Sequence, residues 1–194
     1  VYVTPFTAGM LKSKMADYGR GRDMPMKVIP LDSRFTTGAF DIELVSVAHS
    51  VPETSGLILR TPHGTVYHTA DWKLDPTPYI GTPANPARLS ALGDEGVLAL
   101  VCDSTNAMRE GESPSETDVA DSIAKIIAKA PFRVVVTTFS SNVARIKACY
   151  EAARQSGRRL VVAGRALHRV IEVAIETGYL PRDFTWSDQQ QFKY

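Results

Sequence analysis

The second half of the chain alternates between helix-like and strand-like segments, and this alternation constrains the fold more than any other feature. Apolar residues recur with a helical period after Ser115, and Asp118 three residues later resembles a capping box. Strands separated by helices of this length imply right-handed βαβ crossovers and a parallel sheet. The elements predicted after Asp103 are a helix from Ser115, a strand at Arg133–Thr138, a helix at Asn142–Ser156, a strand at Arg159–Ala163 and a helix at Ala166–Thr177.

The first half mixes one short helix with strands. Pro62 and Gly64 lie between the apolar runs Leu57–Thr61 and Val66–Thr69, and this tight spacing predicts a β-hairpin. The run Val97–Cys102 is apolar on both faces, which predicts a strand in the middle of a covered sheet. Also predicted are a helix at Thr7–Tyr18, strands at Met26–Pro30 and Phe40–Ala48, and a loop from Asp75 to Pro86.

Length and composition fit a soluble globular protein. The 194 residues, 44% of them hydrophobic, can bury a core as one large domain or as two small ones. No apolar run approaches the roughly eighteen residues of a membrane span. The chain starts at Val1 without an initiator Met or a signal-peptide pattern, so we expect the middle of a protein. Cys102 and Cys149 lie in separate apolar segments, which favours reduced thiols in a cytoplasmic protein.

Charge is segregated along the chain, although the formal net charge is only +1. Between Asp94 and Asp121, eight acidic residues face one basic residue, Arg109. Residues 133–169 reverse the balance, with eight basic residues against Glu151 alone. Clustered arginine can neutralise a polyanionic backbone, which makes nucleic acid a candidate partner. A solvated helix face explains the charge at least equally well.

Three side chains that could serve metal chemistry follow the ends of predicted strands. His49 follows the strand that ends at Ala48, and Asp71 follows the second strand of the hairpin. An imidazole and a carboxylate from neighbouring strand ends can converge on one divalent ion, and a carboxylate can bridge two ions. Asp103 follows the most hydrophobic strand, where open α/β sheets place ligand-binding groups. The three positions together favour metal-assisted hydrolysis.

Each of these residues also has a simpler explanation. A lone histidine at a strand end is more often structural or exposed, and an aspartate there often caps a turn. The four histidines include no His-x-His or His-x-x-x-His pair, so they do not make a complete zinc centre.

The segment Thr138–Asn142 joins a predicted strand to a predicted helix. Small hydroxyl side chains and free backbone N–H groups at a helix N-terminus form a natural phosphate site. Ser141 or Asn142 capping its own helix is the explanation that the sequence alone favours, and the basic residues that follow raise the case for phosphate.

Eight short motifs follow one another along the whole chain: Thr4-Pro-Phe-Thr-Ala-Gly-Met-Leu-Lys, His49-Ser-Val-Pro-Glu, His68-Thr-Ala-Asp-Trp-Lys-Leu-Asp-Pro-Thr-Pro, Glu95-Gly-Val-Leu, Asp103-Ser-Thr-Asn-Ala, Pro114-Ser-Glu, Thr138-Phe-Ser-Ser-Asn and Gly164-Arg-Ala. Together they resemble the bacterial ribonuclease J family, nucleases of the metallo-β-lactamase fold with a β-CASP insert. The resemblance implies the second half of a metallo-β-lactamase αββα core over residues 1–104, followed by an incomplete β-CASP domain with parallel βαβ units over residues 105–194.

The resemblance also implies an activity and the residues that serve it. Members of the family use two zinc ions to hydrolyse RNA, as 5′-to-3′ exonucleases and as endonucleases, and the same ligands also suit Mn²⁺. The resemblance further implies a cytoplasmic homo-oligomer. On the same basis His49 is a metal ligand, Asp71 is the carboxylate that bridges the ions, Asp103 is an acidic residue that supports the catalytic centre, and Ser141, Asn142 and Val143 hold substrate phosphate.

The departures from the family pattern set a limit on what this chain does alone. Its His-x-His-x-Asp-His signature, its later histidine motifs and its Gly-rich phosphate loop are absent from the 194 residues. With two of the expected ligands, we expect the chain alone to bind zinc weakly and to cleave nothing. Two alternatives are a metallo-β-lactamase-fold hydrolase of a small ester or thioester, and a non-catalytic RNA-binding module. The arginine-rich segment argues against the first.

Overall fold

The computed structural model describes residues 1–19 and 24–191. The chain begins with strand β1 (Tyr2–Val3), helix α1 (Pro5–Ala16) and strand β2 (Lys27–Val28), and β1 pairs in parallel with β2. Pro5 occupies the first turn of α1, where its missing N–H costs no hydrogen bond. The predicted helix is therefore present, starting two residues earlier than Thr7.

Five strands form the main sheet. In chain order they are β3 (Arg34–Thr37), β4 (Phe40–Ser46), β5 (Ser55–Thr61), β6 (Gly64–His68) and β7 (Ala99–Val101), and they lie side by side in that order. The pairings from β3 to β6 are antiparallel, whereas β7 runs parallel to β6. The predicted hairpin is confirmed as β5 and β6, closed where Thr61 pairs with Gly64.

Helix α2 (Pro86–Glu95) connects β6 to β7 and was not predicted from the sequence. It begins where the Asn85 side chain accepts a hydrogen bond from the Arg88 N–H at 3.0 Å, and Pro86 fits its first turn. Leu92 is its only buried residue and packs in one cluster with Val45 and Ile58 of the sheet. A helix with so few apolar positions gives a weak periodic signal, which explains why the pattern did not reveal it.

An ionic network holds α2 on the sheet. Arg88 donates to both oxygens of Glu43 on β4, at 2.6 and 2.8 Å, and contacts Glu95 at 2.8 Å. Arg60 on β5 completes the network, at 2.8 Å from Glu43 and 2.9 Å from Glu95. The two guanidinium groups lower the pKa of Glu43 to about 2, with the Arg88 hydrogen bond as the largest cause.

The second half contains the predicted helices. They are α3 (Glu116–Lys129), α4 (Val143–Gln155) and α5 (Arg165–Glu176), with the short strands β8 (Val161–Val162) and β9 (Ser187–Asp188) and a 3-10 turn at Gln189–Gln191. β8 pairs in parallel with β9 across α5, which makes a βαβ unit of these three elements, and the mixed α/β fold class is confirmed. Within the described residues, no helix combines the length and the apolar character needed to cross a bilayer.

A large hydrophobic cluster packs α4 and α5 together. Val143 and Ile171 are among its most deeply buried members. Phe6 from α1 and Ile80 from the loop before α2 join it, so the cluster draws on both sides of residues 104–114. The boundary expected there stays a prediction.

One strand prediction was wrong, and another was wrong about the position of its strand in the sheet. Residues Arg133–Thr138 form no strand, and the stretch around Phe139 is exposed, with 84% of that residue accessible. Strand β7 is shorter than Val97–Cys102 and lies at the edge of the sheet, where Leu100 is 61% exposed. The apolar sequence of both segments favours extended backbone, but pairing and coverage depend on neighbours that the described residues do not provide.

Candidate functional site

Three strand ends gather at one edge of the main sheet. β4 and β6 both run antiparallel to β5, and β7 runs parallel to β6, so these three strands point the same way. His49 follows β4, Asp71 follows β6 and Asp103 follows β7, each within three residues of the strand end. The topology therefore brings the three segments that carry the predicted site residues to the same edge.

Hydrogen bonds tie the loops after β6 and β7 together. The Thr69 N–H donates to the Val101 carbonyl at 3.0 Å, and the Asp103 N–H donates to the Thr69 hydroxyl at 3.1 Å. The Trp72 indole N–H reaches the Asp103 carbonyl at 3.4 Å. Because Thr69 is buried, these contacts fix the backbone on both sides of Asp71 relative to Asp103.

The loop after β4 joins the same assembly through a single bridge. Ala48 pairs with Lys73, whose N–H donates to the Ala48 carbonyl at 2.9 Å. The next residue, His49, is half-buried, and its Nδ1 lies 3.4 Å from the Ser50 hydroxyl. His49 is therefore held beside the loop that carries Asp71.

Asp103 is ionised at this edge. Its carboxylate accepts a hydrogen bond from the Thr105 hydroxyl at 2.5 Å and another from the Thr105 N–H at 2.9 Å. These two bonds lower the pKa of Asp103 below its ordinary value. Desolvation acts in the opposite direction, and the electrostatic influence of His49 lowers the pKa further. The His49 imidazole and the Asp103 carboxylate are thus within electrostatic reach of each other.

The backbone before Asp71 adopts an unusual conformation. Ala70 has φ of +54°, in the left-handed region that costs a non-glycine residue about 1–2 kcal/mol. Its N–H donates to Nδ1 of His68 at 3.0 Å, which helps to hold the turn. Asp71 itself is exposed and makes no hydrogen bond or ion pair with the residues that the structure describes. Strain of this kind is common at functional sites, and here it directly precedes the carboxylate predicted to bridge two ions.

A small cleft of about 100 Å³ opens beside His49. Lys73, Asp75 and Glu116 line it, and none of these residues was singled out from the sequence. Asp75 is 3% exposed and accepts hydrogen bonds from the N–H groups of Thr77 at 3.0 Å and Glu116 at 2.9 Å. Lys73 Nζ lies 3.4 Å from the Asp75 carboxylate and 3.9 Å from that of Glu116.

The pKa of Asp75 lies below its ordinary value. Burial acts in the opposite direction, but the Glu116 N–H, the Ser115 hydroxyl, the Thr77 N–H and the Lys73 ammonium together outweigh it. A buried carboxylate at the first turn of α3 is also favoured by the helix dipole. In the sequence, two N-cap patterns could have indicated this buried carboxylate, Asp75-Pro-Thr and Ser115-Glu. The fold brings them together across forty residues of chain.

The segment predicted to hold phosphate lies at the N-terminus of α4. Asn142 caps the helix, because its side chain accepts a hydrogen bond from the Arg145 N–H at 2.8 Å. The buried Val143 donates its N–H to the Ser50 carbonyl at 3.1 Å, beside His49. Ser141 is exposed. The structure therefore shows the capping role and brings this helix end to the candidate site, whereas the contact with substrate phosphate stays a prediction.

Comparison with known proteins gives consistent results over the two halves of the chain. Residues 131–192 match the family model described as ribonuclease J, β-CASP domain. A ribonuclease J of Sinorhizobium meliloti is 46% identical over 194 residues, covering 100% of this chain and 34% of the relative. A ribonuclease J of Thermus thermophilus is 41% identical over 182 residues, covering 93% of this chain and 32% of the relative.

The chain is a homologue of ribonuclease J. Ribonuclease J2 of Bacillus subtilis extends the similarity, at 34% identity over 94% of this chain and 33% of the relative. The chain spans about a third of the length of these curated ribonuclease J relatives. A crystal structure of a protein of unknown function from Enterococcus faecalis shares the fold with a TM-score of 0.67, at 17% identity over 100% of this chain and 46% of that one.

The residues at the sheet edge fit part of a metal-ligand set of the kind that the ribonuclease J resemblance implies. An imidazole and two carboxylates are suitable donors for Zn²⁺ or Mn²⁺. Within the described residues, however, no group of three or more His, Cys, Asp or Glu side chains is placed to hold an ion. The roles of His49 and Asp71 as metal ligands therefore stay a prediction.

Proposed function

We propose that the chain is part of a zinc-dependent ribonuclease and that the edge carrying His49, Asp71 and Asp103 contributes to its catalytic centre. The observation that supports this most is the hydrogen-bonded assembly of the loops after β4, β6 and β7. The homologues named ribonuclease J, at 33–46% identity, support RNA as the substrate of the whole protein. In this proposal residues 1–104 correspond to the second half of a metallo-β-lactamase αββα core.

The proposed roles follow from the chemistry of each side chain. Bound zinc would supply activation of water and neutralisation of phosphate charge. His49 donates a nitrogen lone pair, and Asp71 offers two oxygens that can bridge two ions. Asp103, whose carboxylate is held by the Thr105 hydroxyl and N–H, would add negative charge at the edge that favours a bound cation. Mn²⁺ suits the same donors, so the protein environment does not by itself select zinc.

In the same proposal, the N-terminus of α4 beside His49 binds the substrate. A phosphate of RNA would lie against Ser141, Asn142 and Val143, where the dipole of α4 favours negative charge. The cap and the Ser50 contact fix this segment and leave the Ser141 hydroxyl as its freest donor. The whole protein would act in the cytoplasm as a homo-oligomer, by 5′-to-3′ exonucleolytic and endonucleolytic cleavage.

A chimeric enzyme tests the proposal. The segment of Sinorhizobium meliloti ribonuclease J that aligns with this chain would be replaced by the chain itself, and cleavage of 5′-phosphorylated RNA would be measured. We expect an active chimera in which Asp71→Asn lowers the cleavage rate by more than about 100-fold and Asp103→Asn by about 10–100-fold. Asp94→Asn, an exposed aspartate in α2, is the matched control and should leave the rate unchanged.

The result that contradicts the proposal is an active chimera in which Asp71→Asn cleaves as fast as the parent. A separate outcome is expected of the 194-residue chain alone, which should bind zinc weakly and release no RNA fragments, because a metal site needs its full ligand count. Zinc-dependent cleavage by the isolated chain would show that it holds a complete site.

A further inference from the structure

A second cleft lies away from the candidate site, at the C-terminal end of α4. Its volume is about 300 Å³, within the range of a site for one small ligand. The residues that line it share a mixed basic and aromatic character: Tyr150, Ala153, Arg154, Arg158, Arg159, Leu160, Thr185, Trp186 and Ser187. We refer to this set of residues as the basic cleft.

The basic cleft is separated from the candidate site by the length of α4. Ala144 in the first turn of the helix lines the cleft beside His49, whereas Arg154 lies in its last turn. The 13 residues of α4 span about 20 Å at 1.5 Å per residue. Among the residues that the structure describes, none lines both clefts. The two sites can therefore be occupied independently, or by one extended chain.

Two arginines bring uncompensated positive charge to the basic cleft. Arg154 and Arg159 are exposed, and neither forms an ion pair with any residue in the described part of the chain. Arg158 has a different role, because it donates hydrogen bonds to the carbonyls of Ala130 and Phe132, the latter at 2.7 Å. Arg154 and Arg159 are therefore free to bind an anion, whereas the Arg158 guanidinium is already engaged by these two carbonyls.

Trp186 forms an aromatic wall in a fixed orientation. Its indole N–H donates to Nδ1 of His168 at 3.0 Å, and Nε2 of the same ring lies 3.3 Å from Asp188. Phe184 packs against the indole with ring centroids 5.8 Å apart. The Asp188 carboxylate is thus engaged by His168. An aromatic ring that is already held in place loses little entropy when another ring stacks on it.

We propose that the basic cleft binds one nucleotide of single-stranded RNA, with the base against Trp186 and the phosphate between Arg154 and Arg159. Aromatic stacking combined with arginine is the usual chemistry of sequence-tolerant single-strand binding. The choice of RNA over another phosphorylated ligand rests on the proposed function, whereas the site itself rests on the residues of the cleft. Such a site would hold a strand about 20 Å from the cleavage edge.

The two tryptophans allow each site to be observed separately. The chain has only Trp72, beside Asp103, and Trp186, in the basic cleft. In Trp72→Phe the fluorescence reports on the basic cleft, and in Trp186→Phe it reports on the candidate metal edge. Uridine 5′-monophosphate and a 5′-phosphorylated oligouridylate would be titrated into each variant of the 194-residue chain without added metal.

We expect both ligands to quench Trp186, with the oligouridylate binding more tightly. Arg154→Ala with Arg159→Ala in the Trp72→Phe background should weaken oligouridylate binding about tenfold. The same pair should reduce the slope of log affinity against log salt by about 0.7, because one phosphate of the single strand is no longer neutralised. Lys12→Ala with Lys14→Ala, which removes two exposed charges from α1, should leave affinity and slope unchanged.

Three results would overturn the assignment. The first is a Trp186 signal that does not change with either ligand. The second is an equal fall in affinity in the lysine and arginine pairs, which would indicate general charge attraction. The third is quenching by uridine monophosphate without tighter binding of the oligouridylate, which would identify a free-nucleotide site and overturn RNA as the ligand. Because this experiment measures binding and not cleavage, a negative result would not contradict the proposed ribonuclease activity, which the chimeric enzyme tests separately.

Discussion

At the scale of single residues, Asp75 shows how a buried charge organises the candidate site. Its carboxylate receives two backbone N–H groups and the Lys73 ammonium, and so joins the loop after β6 to the start of α3. Removing one partner of such a buried pair leaves the other charge unsatisfied. Asp75 is therefore expected to matter for stability although it is not proposed to touch a metal.

Asp75→Asn should lower the free energy of unfolding by about 1–3 kcal/mol at pH 7. Because the folded state lowers the pKa of Asp75, its contribution is present above the ordinary aspartate pKa and is lost as the pH falls through the folded value. Urea unfolding at pH 7 and at pH 3 measures both effects, with Asp94→Asn as the exposed control. A stability difference that stays constant or grows on acidification would contradict this account.

The candidate site was only partly predictable from its residues. His49, Asp71 and Asp103 could be found because each directly follows an apolar run, and the shared direction of three strands brings such positions to one edge. Lys73, Asp75 and Glu116 could not, because Glu116 meets Lys73 and Asp75 across some forty residues of chain, which depends on how α3 meets the loop. Local patterns locate strand ends but not the pairs that form between distant segments.

At the scale of secondary structure, prediction succeeded where an element carries its own signals. Helix α4 has a cap at Asn142 and an inward face that includes Val143, Ile146 and Tyr150, and all three are buried. The segment Arg133–Thr138 has a strong strand composition yet forms no strand. A helix satisfies its hydrogen bonds within itself, whereas a strand needs a partner that sequence composition cannot supply.

Hydrogen exchange of the same segment tests this difference. Within the described part of the chain, the backbone N–H groups of residues 134–138 have no hydrogen-bond acceptor. Their amides should exchange at rates close to those of an unfolded peptide, while those of β5 are strongly protected. The measurement is amide exchange by mass spectrometry or NMR on the 194-residue chain. Protection of residues 134–138 comparable to that of β5 would show that they pair after all.

The ionic network under α2 gives a prediction for one element. Glu43→Gln should lower the free energy of unfolding by about 1–3 kcal/mol at pH 7, because Arg60 and Arg88 lose their shared partner. Glu43 has a lowered pKa of about 2, so its contribution is complete above about pH 4.5 and is lost as the pH falls toward 2.

Thermal or urea unfolding of the wild type and of Glu43→Gln between pH 7 and pH 2 follows this change. The exposed Glu112→Gln serves as the control. The two proteins should converge in stability at the acid end. If Glu43→Gln were as stable as the wild type at pH 5, the ionic network would contribute nothing to stability at its observed geometry.

At the scale of the whole molecule, folding partly reverses the segregation of charge seen in the sequence. Arg145 of the basic half lies 3.4 Å from Glu116 of the acidic half, and Arg169 pairs with Asp17, the residue that follows α1. Arg154 and Arg159 remain without an ion pair in the described residues. The sequence thus located the basic region correctly, but only the fold shows which arginines remain available to a phosphate.

The central claim is that His49, Asp71 and Asp103 meet at one edge and serve a metal ion. Titration of the ¹⁵N-labelled chain with Mn²⁺ tests it most directly, since paramagnetic broadening detects even weak binding. The account predicts that amide signals of residues 48–50, 70–72 and 102–104 broaden together at low Mn²⁺, and that Asp71→Asn abolishes the effect. Broadening confined to one of these segments, or centred instead on the acidic residues 110–121, would contradict it.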